Sequence, residues 1–237
     1  MAIKYVLFDL DGTLLPMDHH KFSKKYFSLI TAKLAPLGYD PTAIVNSIQS
    51  GIVSMVKNDG ALFNEEICWR DLVKGLGEKV LEDKKTFDEF YRNDFDMIKD
   101  TCGYNEISAK VISLLHSKNI KTVLATNPLF PSVATEKRIA WAGLKMSDFE
   151  YVSVYENSHF SKPNIKYYEE IVEKLGLNAE ECLMVGNDVE EDMIAARLGM
   201  KTFLVTDYLI NRGNTDISAF PNGTLDDLMV YVEGLVR

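Results

Sequence analysis

Apolar positions along this chain follow two rhythms. Ile3–Leu10 (IKYVLFDL) is a short run of apolar, β-branched and aromatic residues that ends at acids. A run that is continuous rather than alternating, and too short for a helix, predicts a strand buried on both faces of a parallel sheet. Ile120–Ala125, Tyr151–Tyr155, Cys182–Val185 and Lys201–Val205 repeat the pattern. Between them the apolar spacing predicts helices at Glu106–His116, Pro131–Trp141, Ile165–Leu175 and Glu190–Leu198, and Leu225–Val236 predicts a last amphipathic helix. Glycine follows three of these, at Gly143, Gly176 and Gly199, as a stop signal. Strands that alternate with helices predict an α/β fold, a Rossmann-like parallel sheet flanked by helices and joined by right-handed crossovers.

The stretch from Pro16 to Gly103 breaks the alternation. It carries helical patterns at Phe22–Leu34, Ala43–Val56, Glu65–Leu76 and Phe87–Ile98 and no convincing strand. An all-helical block inside an alternating chain predicts an inserted domain, with a core of residues 1–15 and 104–237 and an α-helical cap of residues 16–103. The length of 237 residues suits one core with a smaller insertion.

Ligands of an open parallel sheet bind at the carboxyl ends of its strands, so the residues just past each apolar run matter most. After the first stand Asp9, Asp11, Gly12 and Thr13; after the second, Thr126 and Asn127; after the fourth, Gly186, Asn187 and Asp188, with Asp192 one helical turn on. Ser161-Lys162-Pro163 precedes a helix. Singly, most of these are ordinary turn or cap residues. Together they bring polar groups from four segments to one crevice.

The segment Phe8-Asp9-Leu10-Asp11-Gly12-Thr13-Leu14 resembles the first signature of the haloacid dehalogenase-like hydrolase superfamily. Thr126 matches its second motif, Lys162 its third, and Gly186-Asn187-Asp188-Val189-Glu190-Glu191-Asp192 resembles its acidic fourth. The helical block after the first motif looks like the cap of that superfamily, and the short stretch between Thr126 and Lys162 leaves no room for the α/β cap placed there in other members. One departure concerns the fourth motif, which often begins Gly-Asp and here begins Gly-Asn. Either Asn187 or Asp188 takes the acid's place; a carboxylate suits a hard cation better than an amide, which favours Asp188.

The resemblance implies a phosphatase. Asp9 would be the covalent nucleophile and Asp11 the acid and base. Mg2+ would be held by the side chains of Asp9 and Asp188 and the backbone carbonyl of Asp11, with Asp192 holding a metal-bound water. Lys162 would set a positive charge beside Asp9 and the phosphoryl group, and the Thr126 hydroxyl with backbone N–H groups around Leu10, Asp11 and Asn127 would bind phosphoryl oxygens. The second aspartate separates phosphatases and phosphomutases from the true dehalogenases, which resemble this chain but lack it. A phosphomutase of the β-phosphoglucomutase type and a non-catalytic phosphometabolite-binding protein are the rival readings.

Composition narrows the partners. A net charge of -9 argues against nucleic acid, and no run reaches the roughly 18 apolar residues that span a bilayer. Cys68, Cys102 and Cys182 are widely spaced and form no zinc or disulfide framework. A cytoplasmic enzyme acting on a small phosphorylated metabolite is the expectation. His19, His20, Trp69 and Arg70 lie in the insertion, where specificity should reside, but none is assigned as a ligand.

Overall fold

The computed structural model describes residues 2–235. Six parallel strands form one sheet in the order β3-β2-β1-β4-β5-β6, with β1 at Tyr5–Phe8, β2 at Lys121–Leu124, β3 at Tyr151–Val152, β4 at Cys182–Gly186, β5 at Lys201–Val205 and β6 at Asn222–Gly223. The chain runs outward from β1 through β2 to β3, then returns to the other side of β1 as β4. The strand order therefore reverses between β1 and β4, where a parallel sheet opens a crevice at its carboxyl edge. Register places Phe8 level with Leu124 on one side and Val185 on the other, so the residues that follow all three strands emerge together.

Alternate residues of β1 feed two cores, as strand periodicity requires. Val6 and Phe8 pack in the larger cluster with Val111, Ile112 and Leu115 of the helix Glu106–Ser117 (α5) and Leu228 and Val232 of the helix Leu225–Leu235 (α8). Leu7 faces the opposite cluster, with Tyr167, Tyr168 and Ile171 of Ile165–Leu175 (α7). The run that ends the last predicted helix reaches Val236, which lies outside the described residues.

Between β1 and α5 every regular element is helical. His19–Leu34 (α1) starts on Asp18, whose carboxylate accepts the backbone N–H of His20 and Lys21 at 3.1 Å, and Pro41–Val56 (α2) on Asp40, which caps Ala43 at 2.9 Å. Asn64–Leu76 (α3) lies against α2. The pattern over Phe87–Ile98 predicts one helix, but three pieces form: an α-helix at Lys84–Glu89 (α4), a π-turn at Phe90–Asp94 and a 3-10 helix at Phe95–Thr101. Phe87, Phe90, Phe95 and Ile98 are all buried across these three pieces.

Two other elements are shorter than their patterns. The predicted strand Tyr151–Tyr155 stops at Val152 because the Asn157 side chain takes over the backbone, accepting from Val154 N–H at 3.0 Å and donating to Val152 C=O at 3.0 Å. The predicted helix Glu190–Leu198 begins only at Met193, as a 3-10 helix. The preceding residues are held in a loop by the side chains of Asp188 and Asp192.

Candidate active site

The loop after β1 turns tightly. Leu10 C=O accepts the N–H of Thr13 at 3.2 Å and of Leu15 at 2.8 Å, and Gly12 sits at φ +91°. A Cβ at Gly12 would lie 2.4 Å from Asn187 Nδ2, so the turn needs glycine both for its backbone and for the approach of the β4 loop. Asp9 is buried, with Lys162 Nζ donating to its Oδ1 at 2.8 Å. The Thr13 hydroxyl lies between Asp9 Oδ2 at 3.3 Å and Asn187 Oδ1 at 3.0 Å.

Lys162 is 1% exposed and also donates to Asp192 Oδ1 at 2.6 Å. Burial pushes its ammonium down, but Asp192 and Asp9 more than offset this and hold it well above the ordinary lysine range. The other Asp192 oxygen accepts the backbone N–H of Asp188 at 2.9 Å. Both oxygens of Asp192 thus have protein partners, and burial raises its pKa against the pull of Lys162.

In the β4 loop, Asn187 is fully engaged: its Nδ2 donates to Tyr208 C=O at 2.6 Å while its Oδ1 accepts from Thr13. Asp188 Oδ1 caps Glu190 and Glu191 N–H at 3.0 Å each, and its Oδ2 takes Arg212 at 2.7 Å. Burial raises Asp188, with the Glu191 N–H and Arg212 opposing. Thr126 and Asn127 follow β2. The Thr126 carbonyl is held by the hydroxyls of Ser153 at 2.7 Å and Tyr167 at 2.8 Å, and Asn127 Nδ2 donates to Glu191 at 3.0 Å.

Asp11 stands apart from this network. Its Oδ2 is paired with the guanidinium of Arg138, while its Oδ1 has no partner among the described residues. Burial raises Asp11 above the usual carboxylate range, and Arg138 pulls the other way. A cavity of about 340 Å3 joins these groups: Asp9, Asp11, Thr126, Asn127, Asp188 and Asp192 all line it, and it falls within the size range of small-molecule sites.

The sequence profile described as "Hydrolase: haloacid dehalogenase-like hydrolase" matches residues 3–199. The chain belongs to this family. A curated relative of the hydrolase, the glyceraldehyde 3-phosphate phosphatase of Methanothermobacter thermautotrophicus, is 31% identical over 83 residues, 34% of this chain and 37% of that protein. The matched segment therefore spans little more than a third of that relative. Among solved structures, an HAD phosphatase from Thermococcus onnurineus superposes with TM-score 0.60 at 18% identity over 98% of this chain and 99% of that one. A putative HAD-hydrolase from Bacillus subtilis, bound to magnesium, gives 0.55 at 18% over 98% and 99%. The L-2-haloacid dehalogenase from Xanthobacter autotrophicus gives the same values over the same shares. At such identities the likeness shows the fold, and it is shared by a phosphatase and a dehalogenase.

The family implies a divalent cation. Among the described residues no three His, Cys, Asp or Glu side chains gather as a metal cluster. The set expected here needs only two carboxylates, however, with a backbone carbonyl as third oxygen. Asp9 and Asp188 follow neighbouring strands and line one cavity, and every donor is oxygen, which suits a hard cation. Arg212 on Asp188 shows that this carboxylate accepts a cationic partner. The residues fit magnesium.

Two site residues escaped the sequence. Arg138 is on Ser132–Trp141 (α6), fully buried between Thr135 and Ile139 on the inward face. An arginine on the apolar stripe of a helix was the available signal, since a buried charge demands a partner. Arg212 comes from the loop after β5, where no periodicity marks it.

Proposed function

We propose that the hydrolase is a magnesium-dependent phosphatase that cleaves a small phosphate monoester through an aspartyl phosphate on Asp9. The observation that carries this reading is the division of labour between two acids, one buried and one half-buried, that line one cavity. Asp9 is locked by Lys162 and Thr13, while Asp11, two residues on, keeps one oxygen unpartnered. A nucleophile benefits from fixed aim, and a proton donor needs a free oxygen to meet the leaving group.

Asp9 Oδ attacks phosphorus as the ester P–O bond breaks, and Asp11 gives its proton to the departing alkoxide. Water then attacks the phosphorus of the aspartyl phosphate, Asp11 takes its proton, and Asp9 and phosphate are released. Lys162 holds Asp9 in place and offsets phosphoryl charge. Magnesium, held by Asp9, Asp188 and the Asp11 carbonyl, would supply the remaining positive charge. Asp192 would orient a water at the cation, and by accepting from Lys162 and the Asp188 N–H it also anchors these two groups. Thr126 and the N–H groups beside it would take phosphoryl oxygens.

Residues 16–103 are assigned as a cap over the core of residues 1–15 and 104–237. Residues of α1 and α2 line the same cavity as the strand-end acids, which supports a role in enclosing the substrate. The three free thiols suit a cytoplasmic protein.

Stopped-flow product release tests the reading. Asp9→Asn should fall to background on every substrate. Asp11→Asn should slow the first step of an alkyl phosphate by about 10²–10⁴-fold and that of p-nitrophenyl phosphate less, giving a burst of p-nitrophenol and then slow turnover. Equal slowing of the first step for both leaving groups would remove Asp11 as the acid.

A further inference from the structure

The cavity is charged on one side only. Its floor carries five carboxylates, Asp9, Asp11, Asp188, Glu191 and Asp192, at the strand ends. The opposite wall is apolar and aromatic: Phe22, Tyr26 and Phe27 of α1, Ile52 of α2, and Leu129 and Phe130 after β2. Phe22 and Tyr26 meet Phe130 edge-on, with ring centroids 6.0 and 5.4 Å apart, so the wall is braced. The one polar atom on these six side chains, the Tyr26 hydroxyl, is turned to Tyr91 at 2.9 Å. Phe27, Ile52, Leu129 and Phe130 are half-buried, leaving apolar surface for a ligand to cover.

The Arg138 guanidinium, 4.7 Å over the Phe130 ring, is already paired with Asp11. Among the described lining residues Arg212 is the sole lysine or arginine. It comes from the core and already faces Asp188 at 2.7 Å, Glu190 at 3.6 Å and Glu191 at 3.7 Å. The insertion adds only His19 and Ser23 as polar lining groups.

Building on the phosphatase reading, we infer that this hydrolase takes monoesters whose alcohol part is uncharged and apolar, aliphatic or aromatic, and rejects those bearing a carboxylate or second phosphate. With the phosphoryl group at Asp9, the alcohol part lies on the Phe22–Phe130 wall. A second anion there loses water, finds no donor pair and faces the acids of the floor. The same wall would offer no cation to the second phosphate of a mutase's bisphosphate activator.

The test uses the full chain with magnesium and two matched pairs: n-hexyl phosphate against its ω-carboxylated analogue, and phenyl phosphate against 4-carboxyphenyl phosphate. The carboxylate lies far from the ester in the first pair and makes a slightly better leaving group in the second, so neither analogue is handicapped chemically. The expected kcat/KM for each neutral member exceeds its partner's by on the order of 100-fold, the cost of leaving one charged group unpaired. Chain shortening from hexyl to ethyl phosphate should lower kcat/KM at least about 10-fold. Ile52→Lys and, separately, Phe27→Lys put a cation on the wall. At least one should shift the ratio of kcat/KM values about 10-fold towards the carboxylated hexyl ester and away from n-hexyl phosphate. Wild-type turnover of the carboxylated members equal to or above that of the neutral ones overturns the inference alone. A ratio unmoved by both folded lysine variants also overturns it. Release of no phosphate from any monoester removes the phosphatase reading and this inference with it.

Discussion

Replacing Arg138 with methionine should cost more stability than any surface change, and most of the cost should come from Asp11. Methionine nearly fills the side-chain volume, so the cavity contribution is small. Arg138 pairs with Asp11, donates to Thr135 Oγ1 at 3.1 Å and lies 4.7 Å over the Phe130 ring. Breaking a fully buried ion pair costs about 3–5 kcal/mol. One-fifth of the Asp11 side chain is exposed, and Asp11 can escape by taking up a proton, so about 2–3 kcal/mol is the better figure for this pair. The hydrogen bond and the ring contact add about 1 kcal/mol between them once methionine packing is credited. A total of about 3–4 kcal/mol lowers Tm by about 6–16 °C for a chain this size. The assay is urea unfolding in chelator, which removes stabilisation by bound metal, on wild type, Arg138→Met, Asp11→Asn and the double variant. Asp11→Asn alone strands the guanidinium, so both single variants suffer and the double variant should recover about 2 kcal/mol of their sum. Additivity within about 0.5 kcal/mol would mean that the two groups do not feel each other, and the role given to Arg138 would be wrong.

Two further outcomes are expected. Excess chelator should abolish phosphate release, and Asp188→Ala should raise the magnesium concentration for half activity far more than Asn187→Ala, which should instead lower Tm; the reverse order would move the ligand to Asn187. Gly186→Ala should cost about 1–3 kcal/mol by overpacking and lower kcat with the fold retained, because its Cβ would stand 2.1 Å from Asp192 Oδ2 and push that carboxylate off Lys162; unchanged kcat would show that Asp192 does not position the lysine.

The sheet was legible because a strand buried on both faces reads as a short continuous apolar run, too short for a helix: Lys201–Val205 forms over the residues its pattern predicts, and so does the helix Ile165–Leu175 that precedes β4. The sixth strand, Asn222–Gly223, was not, since an asparagine and a glycine on an edge leave no hydrophobic signature. Asp9 and Lys162 could be paired from the sequence only through the family resemblance, because 153 positions separate them and nothing local to either encodes the contact. The stretch Glu190–Asp192 was misread as a helix start for a related reason. The Asp188 carboxylate accepts the N–H groups of Glu190 and Glu191 ahead of it and Asp192 accepts that of Asp188 behind it, and side chains that compete with the backbone for hydrogen bonds defeat periodicity.

The position of Arg138 follows from what the reaction would ask of Asp11. One carboxyl must hold a proton until the ester bond breaks and then, within the same turnover, accept another from water. A carboxyl with the ordinary aqueous pKa is empty near neutral pH and fails the first task. Burial alone raises it, as it does here, yet a carboxyl raised without limit would keep its proton and fail the second. A guanidinium cannot surrender its own proton to the site, so placed against Asp11 Oδ2 it limits the rise without joining the transfer. It leaves Oδ1, the oxygen without a partner, to carry the proton. A lysine could serve the same electrostatic end, but its compact, flexible ammonium would not hold Asp11 from one side as the planar fork does. The cost of burying Arg138 on the inward face of α6 is therefore met at Asp11, and the arginine that breaks the apolar pattern of that helix is the one that would set how Asp11 works in the proposed reaction.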